Sequence, residues 1–378
     1  MSRTVKAYIG ATIYDGQNLF EKHALMVGSD GQVSVQPQGA LPQGCPRVAM
    51  DGGVIAPGFV DLQVNGGGGV MFNDDQSINA LRAIAEAHAT TGTCGILPTL
   101  ITDTPEKTSA AIKAVEAAIA EKLPGIIGIH LEGPHLSIAR KGAHDPNLIR
   151  AMTEDDLALM LDAAERIANV MVTVAPENTT LAQIKTMADA GIIVSLGHTD
   201  ADLETCHAAF DAGARCVTHL FNAMSQLGNR EPGLVGATLS RPEVYAGLIA
   251  DAIHVHPDTM RIALAAKPKS ERIFLVTDAM ATAGSAIDRF SINGRDVFRK
   301  NQRLTLADGT LAGADLTMPR AVEVMMEAVG DDLSQAIKRA TSTPVDLLRE
   351  PGSLGGFSGM FPAVQYLKKG SSRPVMLS

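Results

Sequence analysis

Short apolar runs alternate with segments of helical periodicity from about residue 55 onward. Eight runs have the length and composition of buried strands, and they are Ile55–Asn65, Gly95–Thr99, Ile126–Glu132, Val170–Ala175, Ile192–His198, Cys216–Leu220, Ala246–Asp251 and Ile273–Asp278. Helical patterns lie between them at Ser77–Thr91, Pro105–Lys122, Thr153–Ala168, Leu181–Ala190 and Asp202–Ala212. Strand followed by helix, repeated, predicts parallel β-α-β units. Eight units favour an α/β fold with a (β/α)8 TIM-type barrel, and an open doubly wound sheet is the alternative.

The first 55 residues have a different pattern. Their short strand-like runs, Tyr8–Tyr14, Ala24–Val27 and Val33–Val35, are separated by turns such as the one at Ser29-Asp30-Gly31. Several short strands divided by turn residues are typical of a small β-sheet unit. We therefore expect residues 1–55 to form a small β domain that precedes the barrel.

Polar side chains stand at the ends of six of the predicted strands. The first strand ends in Asp61-Leu62-Gln63-Val64-Asn65, and the others end at Glu132, His198, His219, Asp251 (with His254 just after) and Asp278. In a barrel the carboxyl ends of all strands meet at one rim, whereas an open sheet would spread these groups apart. The distribution therefore favours the barrel and places a candidate active site at that rim.

Glu132, His198 and His219 lie on three different predicted strands. Taken alone, a histidine at a strand end is more often a hydrogen-bonded structural residue. Together, one carboxylate and two imidazoles form the ligand set of a catalytic zinc that keeps a fourth position open. Fe²⁺, Co²⁺ and Mn²⁺ accept the same nitrogen and oxygen donors. We predict one divalent metal ion here, with Zn²⁺ as the first candidate.

Asp278 ends the eighth predicted strand. Beside a metal, a carboxylate at this position can take a proton from attacking water and pass it to a leaving group. The alternative is that Asp278 caps the segment that follows it. The sequence around this one residue leaves both interpretations open.

Composition and charge exclude several classes of partner. The chain has 378 residues, a net charge of −9 and a pI near 5.6, with no basic stripe that would bind nucleic acid or an acidic membrane. Its four cysteines are scattered without metal-type spacing, which favours a reducing compartment. The first residues lack a signal-like apolar segment. We expect a cytoplasmic protein.

The chain resembles the N-acetylglucosamine-6-phosphate deacetylases of the amidohydrolase superfamily. The motifs that carry the resemblance run in order from about residue 51 to 345, and they are the segments 57–66 (PGFVDLQVNG), 130–134 (HLEGP), 141–144 (KGAH), 197–199 (GHT), 218–224 (THLFNAM), 276–279 (VTDA) and 308–313 (DGTLAG). The family implies a distorted (β/α)8 barrel over residues 56–350, a small β-sandwich to which residues 351–378 return, and a homodimer. It also implies hydrolysis of N-acetylglucosamine 6-phosphate to glucosamine 6-phosphate and acetate.

The resemblance assigns the metal to Glu132, His198 and His219, and the catalytic acid/base to Asp278. Superfamily members with two metals usually carry His-x-His at the end of strand one, where this chain has Gln63-Val64-Asn65. A neutral amide is a poor metal ligand beside imidazole, so one metal per subunit is expected.

The resemblance also implies residues that bind the substrate. His144, with Ala143 before it, is expected to meet the acetyl carbonyl or a sugar hydroxyl, although a solvated loop histidine is the alternative. The phosphate is expected to bind Arg230 and His254, since anionic oxygens favour cationic donors; a surface arginine is the default interpretation of Arg230. The remaining candidates are Gln63, Asn222, Ala223, Asp251, Leu311, Ala312 and Gly313. One phosphate ligand is expected to come from the neighbouring subunit.

Three departures and two alternative functions accompany the resemblance. His135 replaces an aromatic residue, Ala252 replaces a glycine, and the run Phe361–Leu367 stands where the family has its closing strand.

The first alternative function is hydrolysis of another amide, such as N-acetylgalactosamine 6-phosphate or a cyclic ureide. Glu132 argues against a cyclic-amide hydrolase, which typically uses a carboxylated lysine to bridge two metals. The second alternative is a metal-free barrel that serves as an assembly surface.

Overall fold

A sheet of eight parallel strands, arranged in chain order, forms the centre of the computed structural model. The structure describes residues 4–29, 31–357, 364–368 and 374–377. The eight strands are Phe59–Val64 (β1), Thr93–Ile101 (β2), Ile129–Glu132 (β3), Val170–Val174 (β4), Ile193–Leu196 (β5), Cys216–Val217 (β6), Tyr245–Leu248 (β7) and Ile273–Leu275 (β8). The predicted TIM-type barrel is confirmed, and each of the eight predicted strands overlaps one of these.

Five helices occur where the periodicity predicts them, and polar side chains fix their starts. They are Ile78–Ala89 (α1), Pro105–Ala120 (α2), Glu154–Arg166 (α3), Leu181–Asp189 (α4) and Leu203–Asp211 (α5). Each begins after a Ser, Thr or Asp whose side-chain oxygen accepts a backbone N–H of the first turn. Such caps satisfy donors that a helix start otherwise leaves unpaired.

Five further helices escaped the sequence prediction, and they are Gly233–Ser240 (α6), Pro257–Ala266 (α7), Met318–Val324 (α8), Leu333–Ala340 (α9) and Ser342–Val345 (α10). Most of α6 is buried, so it lacks the polar face from which an amphipathic helix is recognised. A π-helical turn, Met325–Val329, continues α8. Short 3-10 turns occur at Gln38–Ala40, Ile138–Arg140 and Ser270–Arg272. No helix of the described residues has the length and apolarity needed to cross a bilayer.

The seam of the barrel lies between β1 and β8. At the carboxyl ends of these strands, the backbone N–H of Asp278 donates to the carbonyl of Gln63 at 3.1 Å, and that of Asn65 donates to the carbonyl of Ala279 at 2.9 Å. Below them, the buried carboxylate of Asp61 accepts from the hydroxyl and the backbone N–H of Thr277. Burial raises the pKa of Asp61 to about 7, and the Thr277 bonds lower it. These contacts hold the two strands that carry Gln63, Asn65 and Asp278 side by side.

Three of the predicted polar strand-end residues lie beyond their strands in left-handed turns. His198, His219 and Asp278 have φ values of 47°, 31° and 50°, in the left-handed region. A side chain with a Cβ is disfavoured there, and such residues concentrate at functional sites. The chain therefore turns sharply after β5, β6 and β8, and these side chains project from the turns.

Both ends of the chain contribute to a small β-sandwich beside the barrel. One antiparallel-rich sheet contains Thr4–Ile9, His23–Gly28, Val33–Pro37 and Arg47–Ala49, and the other contains Thr12–Tyr14, Leu19–Phe20, Val54–Pro57, Val364–Leu367 and Val375–Met376. Apolar side chains from both sheets, including Ile13, Leu25, Ile55 and Val364, form its core. The predicted strand Ile55–Asn65 is therefore two strands, because its first part pairs with the C-terminal strand. Residues 361–363 of the predicted closing run lie outside the described residues.

A further sheet, antiparallel and not predicted from the sequence, lies across the rim of the barrel. Its strands are Arg289–Ile292, Arg295–Lys300, Arg303–Leu306 and Leu311–Ala314. Ile292, Val297 and Leu304 pack with Ile101 and Met280 of the barrel. A short hairpin, Gly66–Gly67 with Val70–Met71, lies on the same side as the carboxyl end of β1. The rim is therefore partly covered.

Candidate metal centre and active-site cavity

Three ligand atoms from three strand ends meet at the rim of the barrel. Glu132 Oε1 lies 3.1 Å from His198 Nε2 and 3.1 Å from His219 Nε2, and the two ring nitrogens are 3.0 Å apart. All three side chains are buried. Glu132 is the last residue of β3, as predicted, and the histidines reach it from the left-handed turns after β5 and β6.

The hydrogen bonds around this group fit a cation. His198 Nδ1 lies 2.8 Å from the carbonyl of Arg140, which can only accept, so Nδ1 carries the proton. In the neutral ring, Nε2 then presents a lone pair towards the carboxylate oxygen of Glu132. His219 Nδ1 has no hydrogen-bond partner among the described residues. Lone pairs that face one another across about 3 Å are stabilised by a divalent cation, and two imidazoles with one carboxylate are donors that such a cation accepts.

The electrostatics of Glu132 agree with this arrangement. Burial opposes a charge on the carboxylate, but without a bound cation the protonated rings of His198 and His219 hold its pKa well below its usual range through hydrogen bonds and positive charge. A buried anion of this kind is stable only beside positive charge or several donors. The site therefore keeps a negative charge at the point where a cation would bind.

The amides of β1 take the place of the imidazole pair of two-metal enzymes. Gln63 Nε2 donates to both Glu132 Oε2 and Asp278 Oδ1 at 3.2 Å, and Asn65 Nδ2 donates to Asp278 Oδ1 at 2.7 Å. Both amides therefore present N–H groups, which cannot ligate a metal. Burial, followed by the charge of Glu132, raises the pKa of Asp278 to about 6. A carboxyl with a pKa near neutrality is suited to accept and release a proton.

Glu132, His198 and His219 line a cavity of about 380 Å³. Most of the residues predicted for the site line it, and they are Glu132, Ala143, His144, His198, His219, Asn222, Ala223, His254, Asp278, Leu311 and Gly313. Four predicted residues are not part of the cavity wall, namely Gln63, Arg230, Asp251 and Ala312. Gln63 lies behind the carboxylates, and Arg230 is exposed on a loop. Ala312 is buried in the apolar core of the antiparallel sheet Arg289–Ala314 that lies across the rim, here called the rim sheet.

Several wall residues were missed from the sequence, and they are Ile101, Ala139, Arg140, Gly142, Ile249, Met280 and Thr310. Gly142 lies within the motif 141–144 that contains His144, and Arg140 directly precedes it, so proximity in sequence was the signal that could have found them. Ile101, Ile249 and Met280 have the character of core residues, which gives the sequence no means of distinguishing them.

The segment 140–144 forms one side of the cavity. Gly142 has φ 55°, and a Cβ on it would lie 3.2 Å from His198 Cε1, so only glycine lets the backbone approach that ring without displacement. His144 Nδ1 is 2.7 Å from the hydroxyl of Thr102, and its ring packs edge-on against His198. Burial lowers the pKa of His144 well below its usual range. The predicted solvated loop histidine is therefore excluded, and His144 is a buried neutral group beside the ligands.

His254 and Asp251 form a pair elsewhere on the rim. Asp251 Oδ2 lies 2.6 Å from His254 Nδ1, and its Oδ1 accepts the backbone N–H groups of Ile253 and His254 at 2.8 Å. Asp251 thus holds the imidazole that lines the cavity. Its carboxylate is occupied by these bonds, so it orients His254 rather than facing the cavity itself.

Comparison with known proteins identifies the family. Residues 54–355 match the amidohydrolase family. The chain belongs to the amidohydrolase family. Within this family it is 43% identical to an N-acetylgalactosamine-6-phosphate deacetylase of Shewanella sp. strain ANA-3, over 81% of this chain and 77% of the relative. It is 35% identical to an N-acetylglucosamine-6-phosphate deacetylase of Haemophilus influenzae, over 92% of this chain and 91% of the relative.

Solved amidohydrolase-family structures share the whole architecture. The N-acetylglucosamine-6-phosphate deacetylase of Pasteurella multocida superposes with a TM-score of 0.89 at 33% identity, covering 96% of this chain and 94% of that one. A mutant of the N-acetyl-D-glucosamine-6-phosphate deacetylase of Mycobacterium smegmatis, in complex with N-acetyl-D-glucosamine 6-phosphate, superposes with a TM-score of 0.88 at 31% identity. This match also covers 96% of this chain and 94% of that one. The resemblance inferred from the motifs is therefore confirmed.

Removing either histidine ligand should weaken metal binding in this amidohydrolase. We expect His198→Ala and His219→Ala to lose bound metal on dialysis, because a three-ligand site cannot lose one donor without loosening. Metal content per subunit, measured by elemental analysis, checks this. His207→Ala is the control, since this half-buried histidine lies on α5 and bonds Arg241 away from the site. Full metal retention in both ligand variants would contradict the assignment.

Proposed function

We propose that this chain hydrolyses the acetamide of N-acetyl-D-glucosamine 6-phosphate to D-glucosamine 6-phosphate and acetate, a step of amino-sugar catabolism. The observation that carries this proposal is the convergence of Glu132, His198 and His219 at a cavity that also contains Asp278. This combination supplies a metal site and a proton carrier for amide hydrolysis. The names of the Haemophilus influenzae and Pasteurella multocida relatives support the substrate.

N-acetylgalactosamine 6-phosphate is the second candidate substrate. The 43% identical Shewanella relative bears the name of a deacetylase for that sugar. The two sugars differ in the configuration of one hydroxyl, which few contacts can decide. Acetate release from both sugar phosphates by the purified protein tests the proposal. A larger kcat/KM for the gluco substrate supports the first candidate, a larger value for the galacto substrate supports the second, and hydrolysis of neither rejects both.

The metal is one divalent ion per subunit, with Zn²⁺ as the first choice and Fe²⁺, Co²⁺ or Mn²⁺ as alternatives. Glu132, His198 and His219 would hold it. A bound cation of this kind supplies Lewis acidity, which makes water nucleophilic at neutral pH and polarises a carbonyl oxygen. Gln63 and Asn65 direct N–H groups at the carboxylates, which supports a single ion.

Asp278 is the proton carrier in this proposal. It accepts the proton of the attacking water and delivers it to the amine nitrogen, which cannot leave as an anion. Gln63 and Asn65 fix its Oδ1 and leave Oδ2 without a hydrogen bond to these amides. His144, buried beside the ligands, supplies a ring N–H to the acetyl carbonyl or to a sugar hydroxyl.

The phosphate would bind at the His254 end of the cavity, with Asn222 and Ala223 nearby. Arg230 is exposed, and its side chain makes no hydrogen bond or ion pair within the described residues. We propose that it reaches the cavity of the partner in a homodimer. The four free cysteines accord with a cytoplasmic location. We assign catalysis to residues 56–350, and the small β domain to residues 1–55 and 351–378.

The carboxylate of Asp278 should be essential for turnover but not for folding. Asp278→Asn keeps the shape of the side chain and can still accept a hydrogen bond from the Asn65 amide. It cannot, however, take up and release a proton. We expect kcat to fall by about 10²–10⁴ while metal content and substrate affinity stay near those of the wild type. Steady-state kinetics with parallel metal analysis check this, and Asp189→Asn, which alters an exposed pair with Lys185, is the control. Near-normal kcat with a lowered Tm would show that Asp278 is a structural cap.

Arg230 should recognise phosphate specifically. Arg230→Ala should raise KM for the 6-phosphate substrate by about ten- to a hundred-fold, because a charge-assisted hydrogen bond contributes about 1.5–3 kcal/mol. Any weak activity on unphosphorylated N-acetylglucosamine should stay nearly unchanged. Kinetics on both sugars check this prediction. Equal losses on the two substrates would assign Arg230 another task, such as holding the dimer together.

A further inference from the structure

A group of polar side chains lies inside the barrel beneath the ligand atoms, and the proposed reaction leaves it without a role. His130, Thr173, Ser195 and Thr218 are almost completely buried, and none of them lines the cavity. Burying polar groups is unfavourable unless they bond to one another or to the backbone. Apolar residues could fill the same space without the free-energy cost of burying polar groups, so the presence of these four side chains needs an explanation.

The four side chains form one continuous chain of hydrogen bonds. Ser195 Oγ lies 2.7 Å from Thr218 Oγ1, which lies 2.6 Å from Thr173 Oγ1, which lies 2.7 Å from His130 Nε2. At the far end, His130 Nδ1 is 3.1 Å from the carbonyl of Leu62. All the members come from different strands or strand ends of the barrel.

The direction of the chain follows from its last acceptor. A backbone carbonyl only accepts, so His130 Nδ1 carries the proton, and in the neutral ring Nε2 must accept. Thr173 therefore donates to His130. Since each hydroxyl has one proton, Thr218 donates to Thr173 and Ser195 donates to Thr218. Every hydroxyl proton in the chain is used once, and the order is fixed.

Each member is tied to a ligand by the backbone. His130 is two residues before Glu132 on β3, and Thr173 is the register partner of Glu132 on β4. Thr218 immediately precedes His219, and Ser195 lies three residues before His198 on β5. The ladder between β5 and β6 has only two residue pairs, so the backbone alone gives these two strand ends little lateral support.

The chain also joins strands that are not neighbours in the sheet. Thr173 on β4 bonds to Thr218 beyond β6, which bypasses β5, and His130 on β3 bonds to Leu62 on β1, which bypasses β2. These bonds cross the interior of the barrel. They fix distances that ladder bonds between adjacent strands do not set directly.

We propose that the hydrogen-bond chain from Ser195 through Thr218 and Thr173 to His130 positions the ligand atoms of Glu132, His198 and His219 for metal binding. The proposal rests on the metal centre of the proposed function. These four are positioning residues, since they touch neither the cavity nor the ligand atoms. Groups one step behind metal ligands commonly control the affinity of a site in this way.

The test measures zinc affinity in the absence of any substrate. Apo-protein is titrated with Zn²⁺ in competition with a chromophoric chelator. Thr218→Val keeps the shape but removes the central hydroxyl, and we expect its Kd for zinc to rise by about 10- to 100-fold. Thr218→Ser restores the hydroxyl and should lie close to the wild type. Thr238→Val is the matched control, because this buried threonine donates only to the carbonyl of Leu234 within α6.

A merely structural role predicts a different result. It would lower the Tm of apo Thr218→Val and of Thr238→Val alike and leave both zinc affinities unchanged, and that outcome overturns the proposal. Should Thr218→Val fail to fold, Ser195→Ala removes only the first donor of the chain; a raised zinc Kd supports the proposal and an unchanged one overturns it. If the wild-type protein itself binds no zinc, cobalt or manganese, the metal centre is refuted, and the positioning role with it. If Thr218→Val binds zinc more weakly than the wild type but the wild type itself has no deacetylase activity, only the proposed substrate is rejected and the positioning role stands.

Discussion

The rest of the site depends on one constraint, the burial of the Glu132 carboxylate at the end of β3. A charge in that position is stable only where positive charge and hydrogen-bond donors surround it. The structure surrounds it with groups from three other strand ends, with His198, His219 and the Gln63 amide in contact with its oxygens. The barrel is the means of bringing these groups together, because it directs the carboxyl ends of all eight strands to one rim.

Much of this arrangement could be predicted from the sequence. Apolar strands that end in polar residues indicate both the barrel and its candidate functional rim, and the candidate ligand set follows from which residues stand at those ends. The sequence pattern placed the strand ends too late, however. It continued β5, β6 and β8 to His198, His219 and Asp278, whereas each of these residues has left-handed backbone. Side-chain periodicity contains no signal for such a turn when the residue is not glycine.

Other features escaped prediction for different physical reasons. The rim sheet from Arg289 to Ala314 resembles ordinary alternating surface strands, and only its contacts with Ile101 and Met280 show that it covers the cavity. The helix α6 is apolar on nearly every side, so no period marks it. Pairing of Val54–Pro57 with Val364–Leu367 joins segments about 300 residues apart, which local pattern cannot reveal. Long-range contacts decided each of these outcomes.

In the proposed mechanism, the amides at Gln63 and Asn65 would allow a single ion and a free proton carrier to coexist. In a two-metal site the carboxylate on β8 would be held by cations, and its pKa would be depressed by their charge. Here its Oδ1 is held by neutral N–H donors instead, while burial and the neighbouring Glu132 raise its pKa to about 6. Neutral N–H donors orient the carboxylate, and they lower its pKa less than a second cation would. Replacing imidazole by amide on β1 therefore gives up a metal ligand pair and retains Asp278 in a form that can exchange protons near neutral pH.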